Sequence, residues 1–156
     1  RRALWDLFFQ LSSTGITLFV TTHYMDEAER CSRVGYIYNS RLISYGEPDD
    51  LKQLPDVTPA DAKWIEVTCS NATVALAALK EEKYVRDATI FGQSIHLLMD
   101  LATPVEVIGR TLQRIGITDA EVTQARPSLE DVFVSLTRRQ ARSGKNNGKS
   151  KSTDEA

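Results

Sequence analysis

Apolar residues follow two rhythms along this chain, and the changes between them mark its elements. In residues 1–14, Leu4, Leu7, Phe8 and Leu11 recur at spacings of three and four, which predicts a helix; Gly15 stops it after Ser12-Ser13-Thr14. Residues 16–20, Ile16-Thr17-Leu18-Phe19-Val20, form a short apolar run between turn residues, the pattern of a strand buried on both faces of a parallel sheet. Such a strand needs neighbours, and the chain offers few, so it is expected to be the least secure element. A second helix is predicted over 24–33, with Asp26, Glu27 and Glu29 toward its start and Arg30 and Arg33 toward its end, as the helix dipole favours. Asp26 with Arg30 and Glu29 with Arg33 also have i,i+4 spacing. Residues 35–38 and 41–45, joined by Asn39-Ser40 and closed by Gly46 and Pro48, read as a hairpin, and 49–54 as at most a short helix.

Pro55 and Pro59 interrupt this pattern, so residues 55–62 are the best candidate for a linker between domains. Alternation follows: Ile65, Val67 and Cys69 fall on one face of a strand, and Trp64, Glu66 and Thr68 on the other. Asn71 is placed to cap a helix with an apolar face of Ala72, Ala75, Leu76 and Leu79. Residues 84–91 and 93–99 read as strands pivoting on Gly92. Thr103-Pro104-Val105-Glu106 has the form of a capping box, Thr103 as the cap, before a helix buried through Val105, Ile108, Leu112 and Ile115 and ended by Gly116. Residues 119–125 form a last strand, and Ser128 with Asp131 makes a second capping-box pattern ahead of Leu129, Val132, Phe133 and Leu136. From 63 to 125 the order is strand, helix, strand, strand, helix, strand: an α+β ferredoxin-like (split βαβ) arrangement, with an extra helix carrying the domain to 141.

Composition sharpens the picture only in part. With 156 residues, 42% of them hydrophobic and 26% charged, the chain suits one ordinary globular domain or two small ones, and its apolar runs are too short for a membrane helix. It opens Arg1-Arg2-Ala3-Leu4, with neither an initiator methionine nor a signal peptide, and is read as a segment of a longer protein. Cys31 and Cys69 lack the spacing of a zinc site or a disulfide framework, which suits a reducing cytosol. Net charge is -2, but basic groups gather at the end: Arg138, Arg139, Arg142, Lys145, Lys149 and Lys151 against Asp154 and Glu155. Residues 142–156 carry almost no apolar side chains and are expected to be a disordered basic tail.

Several patterns invite chemistry and do not sustain it. Ser143-Gly144-Lys145-Asn146-Asn147-Gly148-Lys149-Ser150 looks like a phosphate-binding loop, but serine stands where its first glycine belongs, and neither the feeding strand nor the departing helix is present. The basic run from Arg138 is simplest as a solvated tail, with an anionic-lipid or nucleic-acid patch as the alternative. RNA binding would call for stacking aromatics on the central strands, where only Trp64 is found, so no nucleic-acid partner is expected. His23 and Glu27 have i,i+4 spacing, yet no third ligand lies near in sequence, and no metal site is expected. His96 reads as a half-exposed strand residue. His23 is harder to place. It follows directly on an apolar strand, and the carboxyl ends of such strands are where α/β proteins set their ligands; a structural role and a ligand role both stand on position alone.

Taken together, Phe19-Val20-Thr21-Thr22-His23-Tyr24-Met25-Asp26-Glu27-Ala28-Glu29 and Gly35-Tyr36-Ile37-Tyr38-Asn39-Ser40-Arg41-Leu42-Ile43-Ser44-Tyr45-Gly46-Glu47-Pro48 resemble the end of an ABC transporter ATPase domain, the part that carries the switch histidine. Arg2-Ala3-Leu4-Trp5-Asp6 resembles the helix that follows the D-loop in that family, and residues 63–137, ending Ala125-Arg126-Pro127-Ser128-Leu129-Glu130-Asp131-Val132-Phe133, resemble the small carboxy-terminal domain of its drug-exporter-type members. The resemblance implies that residues 1–54 are the end of a P-loop ATPase domain. His23 would then be both the catalytic and the nucleotide-contacting residue, reaching the γ-phosphate of ATP. It also implies ATP and Mg in the intact protein, a second ATPase subunit in a head-to-tail dimer, a transmembrane permease, and a cytoplasmic location on the inner face of the membrane.

Walker A, Q-loop, signature, Walker B and D-loop motifs do not occur in these 156 residues and are expected upstream. Phosphoryl transfer needs their lysine and metal charge, so this segment by itself is expected to be inactive and to bind no cofactor. The implied function is ATP-driven export, with the carboxy-terminal domain regulatory or dimer-stabilising. The competing expectation is a stand-alone binding module, its ferredoxin-like half holding a small ligand or a partner protein.

Overall fold

The computed structural model describes residues 2–147. Helix α1, Arg2–Ser13, follows the predicted spacing and ends in a turn at Gly15, whose φ of 88° suits a residue without a side chain. Among the described side chains of this helix only Trp5 is buried, its ring edge-on to Phe8 and beneath the Arg30 guanidinium at 5.8 Å; Leu4, Leu7 and Phe9 stay about half exposed. Residues 16–20 are not a strand. They run without sheet pairing, and Phe19 is 95% exposed. A parallel strand gains its hydrogen bonds and its burial from neighbours on both sides, and the described residues present none at this place.

The helix expected over 24–33 is shorter than predicted. Helix α2 is Met25–Ala28, closed by Glu29 N–H donating to the Met25 carbonyl at 2.9 Å and followed by a turn. The helical register that would align Asp26 with Arg30 and Glu29 with Arg33 ends too early, and the side chains find other neighbours: Arg30 covers Trp5, Arg33 covers Tyr45, and Glu29 pairs with Lys52 at 2.7 Å. The hairpin is as predicted, β1 (Val34–Tyr38) against β2 (Arg41–Gly46). Asn39 and Ser40 both adopt positive φ, 48° and 59°, the two-residue turn whose twist matches that of the strands. The register slips between Tyr36 and Ile37, leaving Ile43 without an opposite number, and this bulge turns Ile43 toward the core. Helix α3, Pro48–Lys52, starts on a proline and buries Leu51.

Strands β3 (Ala62–Thr68), β4 (Val85–Phe91), β5 (Ser94–Asp100) and β6 (Glu121–Gln124) make one antiparallel sheet in the order β4-β5-β3-β6. Helices α4 (Ala72–Lys80) and α5 (Glu106–Arg114) lie between them in sequence. Alternation sorts the sheet as predicted. Ile65, Val67, Ile95, Leu97 and Met99 point to one face and pack with Ala75 and Leu79 of α4 and Ile108 and Leu112 of α5. Asn71 caps α4, its Oδ1 accepting from Val74 N at 3.3 Å. The Thr103 cap does not form. Helix α5 begins at Glu106 with no side-chain cap, its entry is tightened by Ile108 N–H bonding to the Val105 carbonyl, and the Thr103 carbonyl accepts from Lys63 Nζ at 2.7 Å instead.

Helix α6, Leu129–Asn147, covers the opposite face of the sheet. It runs into the stretch expected to be disordered, because Arg138-Arg139-Gln140-Ala141-Arg142 are good helix formers that extend a helix already nucleated by packing. The remainder of that tail, with Gly148, Lys149 and Ser150 of the loop-like motif, lies outside the described residues. At the head of the basic run, Arg138 pairs with Asp87 and Arg139 with Asp56. Beneath α6, Trp64, Ala62 and Leu98 of the sheet share one buried cluster with Leu129, Val132 and Leu136, with Val34 and Tyr36 of the hairpin, and with Leu51, Val57 and Ala28. Val57 sits between the two prolines and is fully buried, and the Trp64 indole N–H donates to its carbonyl at 3.1 Å. Packing is therefore continuous across residues 55–62. Leu129 is fully buried in this cluster, so Leu129→Ala is expected to lower unfolding free energy by about 2–5 kcal/mol, measured by urea denaturation.

Candidate functional site

The turn that carries His23 is organised by its neighbours. Thr22 Oγ1 accepts from Tyr24 N–H at 3.0 Å and donates to Glu27 Oε2 at 2.7 Å, a side-chain hook across the start of α2. The Tyr24 carbonyl accepts from the N–H groups of Glu27 and Ala28, each at 3.2 Å. His23 projects from this turn into solvent, its ring against that of Tyr24 with centroids 4.1 Å apart. An exposed imidazole held by such a turn can donate a hydrogen bond to an anionic oxygen arriving from outside. Two of the acidic neighbours take structural parts: Glu27 receives the Thr22 hydroxyl, and Glu29 pairs with Lys52, while Ala28 between them is buried in the core. Among the described residues, no group of three or more His, Cys, Asp and Glu side chains is placed to hold a metal ion.

His96 is the half-exposed strand residue expected from sequence, and it also carries a contact that the sequence did not announce. It shares the α6 side of β5 with Leu98, and its Nδ1 lies 2.7 Å from Oδ2 of Asp131, a carboxylate only 2% exposed. The same oxygen accepts from Ser128 N–H and from Ser128 Oγ–H, both at 2.8 Å, while Ser128 Oγ accepts from Asp131 N–H at 3.2 Å. The predicted capping box is thus formed, and a histidine reaches it from the sheet. Phe91 meets the imidazole edge-on at 5.1 Å. Asp131 holds the His96 pKa above the ordinary histidine range, chiefly through this hydrogen bond and with help from Glu66 and Glu130, against the opposing effect of burial.

The first turn of α6 is also held from the other side. Leu129 N–H donates to Glu29 Oε1 at 3.3 Å, and the buried Tyr36 hydroxyl donates to the Leu129 carbonyl at 2.8 Å. Burial pushes the Tyr36 phenol pKa upward. Glu29 Oε2 accepts from Lys52 Nζ at 2.7 Å, which brings α3 to the same junction. Sequence reasoning marked the capping box but missed what converges on it. The partners lie in β5, in the turn after α2 and in β1, and no local spacing announces them.

Comparison with known proteins gives these arrangements a family. No family model matches the chain. Residues here are 50% identical over 52 positions to "Probable multidrug ABC transporter ATP-binding protein YbhF" of Escherichia coli, covering 33% of this chain and 9% of that protein. Longer matches take in both halves: 31% identity over 143 residues to "Daunorubicin resistance ATP-binding protein DrrA2" of Streptomyces coeruleorubidus, with 88% of this chain and 43% of that protein covered. "Nod factor export ATP-binding protein I" of Bradyrhizobium diazoefficiens is 31% identical over 143 residues, covering 90% of this chain and 42% of that protein.

The chain belongs to the ABC transporter ATP-binding proteins.

It spans less than half the length of each of these relatives. These relatives are named for multidrug transport, daunorubicin resistance and Nod factor export. Among the described residues no helix is long and apolar enough to cross a membrane. Of the ABC chain's two histidines, His23 stands at the exposed turn and His96 at the α6 junction, so the structure keeps them in separate surroundings.

The raised His96 pKa fixes the sign of a pH dependence. Its stabilisation is complete below about pH 6.5, the ordinary histidine pKa, and is lost as pH rises through the higher folded-state value. Urea unfolding across pH 5.5–9 is expected to show that loss, and His96→Gln to flatten the curve in this window, with the His96 ring protons reporting the titration by NMR.

Proposed function

We propose that this chain is the carboxy-terminal part of an ATP-binding subunit that couples ATP binding and hydrolysis to export across a membrane. In this reading residues 1–54 close the P-loop ATPase domain, and residues 63–141 are an appended ferredoxin-like domain with an extra helix, regulatory or dimer-stabilising in role. The observation that carries the proposal is that matches to exporter ATP-binding proteins run through the His23 segment and the carboxy-terminal unit together. The element order β3-α4-β4-β5-α5-β6 with spatial order β4-β5-β3-β6 supports the ferredoxin-like assignment.

His23 is the residue assigned to the chemistry. Its ring N–H donates to an oxygen of the ATP γ-phosphate, where negative charge must be stabilised as the phosphoryl group transfers. Thr22 and Glu27 hold the turn, and Tyr24 lies along the ring and limits its swing. Mg and the phosphate-cradling groups come from the rest of the subunit, as does the head-to-tail partner site. A permease supplies the membrane path and holds the subunit at the cytoplasmic face.

Two experiments on the full-length subunit test this. His23→Ala is expected to lower the ATPase kcat by about 100-fold; near-normal hydrolysis would remove His23 from the mechanism. Deletion of residues 60–156 is expected to weaken dimerisation or uncouple hydrolysis from transport, and unchanged dimerisation, ATPase rate and transport would sink the role given to the carboxy-terminal domain.

A further inference from the structure

The His23 turn has an asymmetric set of supports. On its amino-terminal side, residues 16–22 carry no regular secondary structure. On its other side stands α2, four residues long, too short to hold a direction by its own hydrogen bonds. What fixes α2 is its seat on α6. Ala28 is buried among Leu129, Val132 and Leu136, and Glu29 closes the helix through its backbone while its side chain reaches across. One Glu29 oxygen takes the Leu129 N–H, an amide in the first turn of α6 with no partner inside that helix, and the other takes Lys52. The α6 turn it grips is itself immobilised by Ser128, Asp131 and His96 on the sheet and by the Tyr36 hydroxyl. A continuous set of short contacts therefore leads from β5 through Asp131 and Leu129 to Glu29, α2 and the Thr22 hook.

We infer that Glu29 is a positioning residue, through which the first turn of α6 in the carboxy-terminal domain sets the placement of His23. This rests on the assignment of His23 to the γ-phosphate, and it gives the carboxy-terminal domain a specific point of action. A carboxylate suits the task because its two oxygens serve two elements at once, the backbone of α6 and the ammonium group of α3. Loss of the Leu129 link leaves α2 held by the apolar packing of Ala28, Met25 and Cys31, which does not fix its rotation, and the turn then samples orientations in which the imidazole misses its target.

Amide NMR of the 156-residue chain separates the tether from the chemistry. Glu29→Ala is expected to lower the heteronuclear NOE across residues 22–28 and to move the His23 ring shifts, while His96 keeps its wild-type resonances. Glu29→Gln, which retains an acceptor for the Leu129 N–H, is expected to restore both signals. In the full-length subunit Glu29→Ala is expected to lower kcat about three- to tenfold with KM for ATP within about twofold, and Glu29→Gln to recover most of the loss. Unaltered dynamics over 22–28 in Glu29→Ala would overturn the tether. Loosened dynamics with undiminished kcat, in a subunit where His23→Ala is impaired, would overturn the positioning role. A full-rate His23→Ala subunit would instead strike the assignment of His23, and the NMR comparison would still decide whether Glu29 holds the turn.

Discussion

The seating of Leu129 is the constraint on which the arrangement depends. Its side chain is fully buried, its N–H is taken by Glu29, its carbonyl by Tyr36, and two residues on Asp131 is pinned to His96. A first helical turn normally leaves amides pointing at nothing, and their burial would be costly. Here the partners of this turn, the Glu29 carboxylate, the Tyr36 hydroxyl and the His96 ring, arrive from three elements distant in sequence, so satisfying the helix start and assembling the domain are one event. The sheet gives α6 its floor, and the hairpin with α2 and α3 gives it a roof.

Polar groups in this junction do two kinds of work. Asp131 is almost wholly buried, and its Oδ2 accepts from Ser128 N–H, Ser128 Oγ–H and His96, so its charge is met by three donors converging on one oxygen. That makes the contact specific in geometry, since apolar packing alone would tolerate a rotation of α6 that these bonds do not. Arg138 with Asp87 and Arg139 with Asp56 then align the middle of the helix, at more exposed positions where ion pairs add less.

Elements whose signals are local were legible in the sequence. Period-three-and-four apolar spacing gave α1, the Asn39-Ser40 turn gave the hairpin, alternation gave the faces of β3 and β5, and the Ser128 and Asp131 pattern gave the start of α6. Elements that depend on absent or remote partners were not. Residues 16–20 have strand composition but no strand beside them. The helix after His23 stops at Ala28 because Glu29 is drawn to Leu129 and Lys52, a competition that local charge spacing cannot reveal. Prolines 55 and 59 marked an interruption in secondary structure correctly, while Val57 between them is buried, so a break in pattern was no break in packing. At the candidate site, His23 was singled out by its neighbours in the chain, whereas the links that reach its turn from α6 were not legible, for they join residues 100 positions apart.

That separation also orders events in time. Glu29 meets Leu129 across 100 residues, and Tyr36 meets it across 93. A ribosome covers such a distance in roughly 5–20 s, whereas the hairpin closes in about 1–10 μs. The hairpin and the His23 turn therefore wait, already formed locally but unanchored, while β3 through β6 are synthesised beneath them. Their final placement is a late step of biosynthesis, taken when α6 emerges and closes the core over residues made long before it.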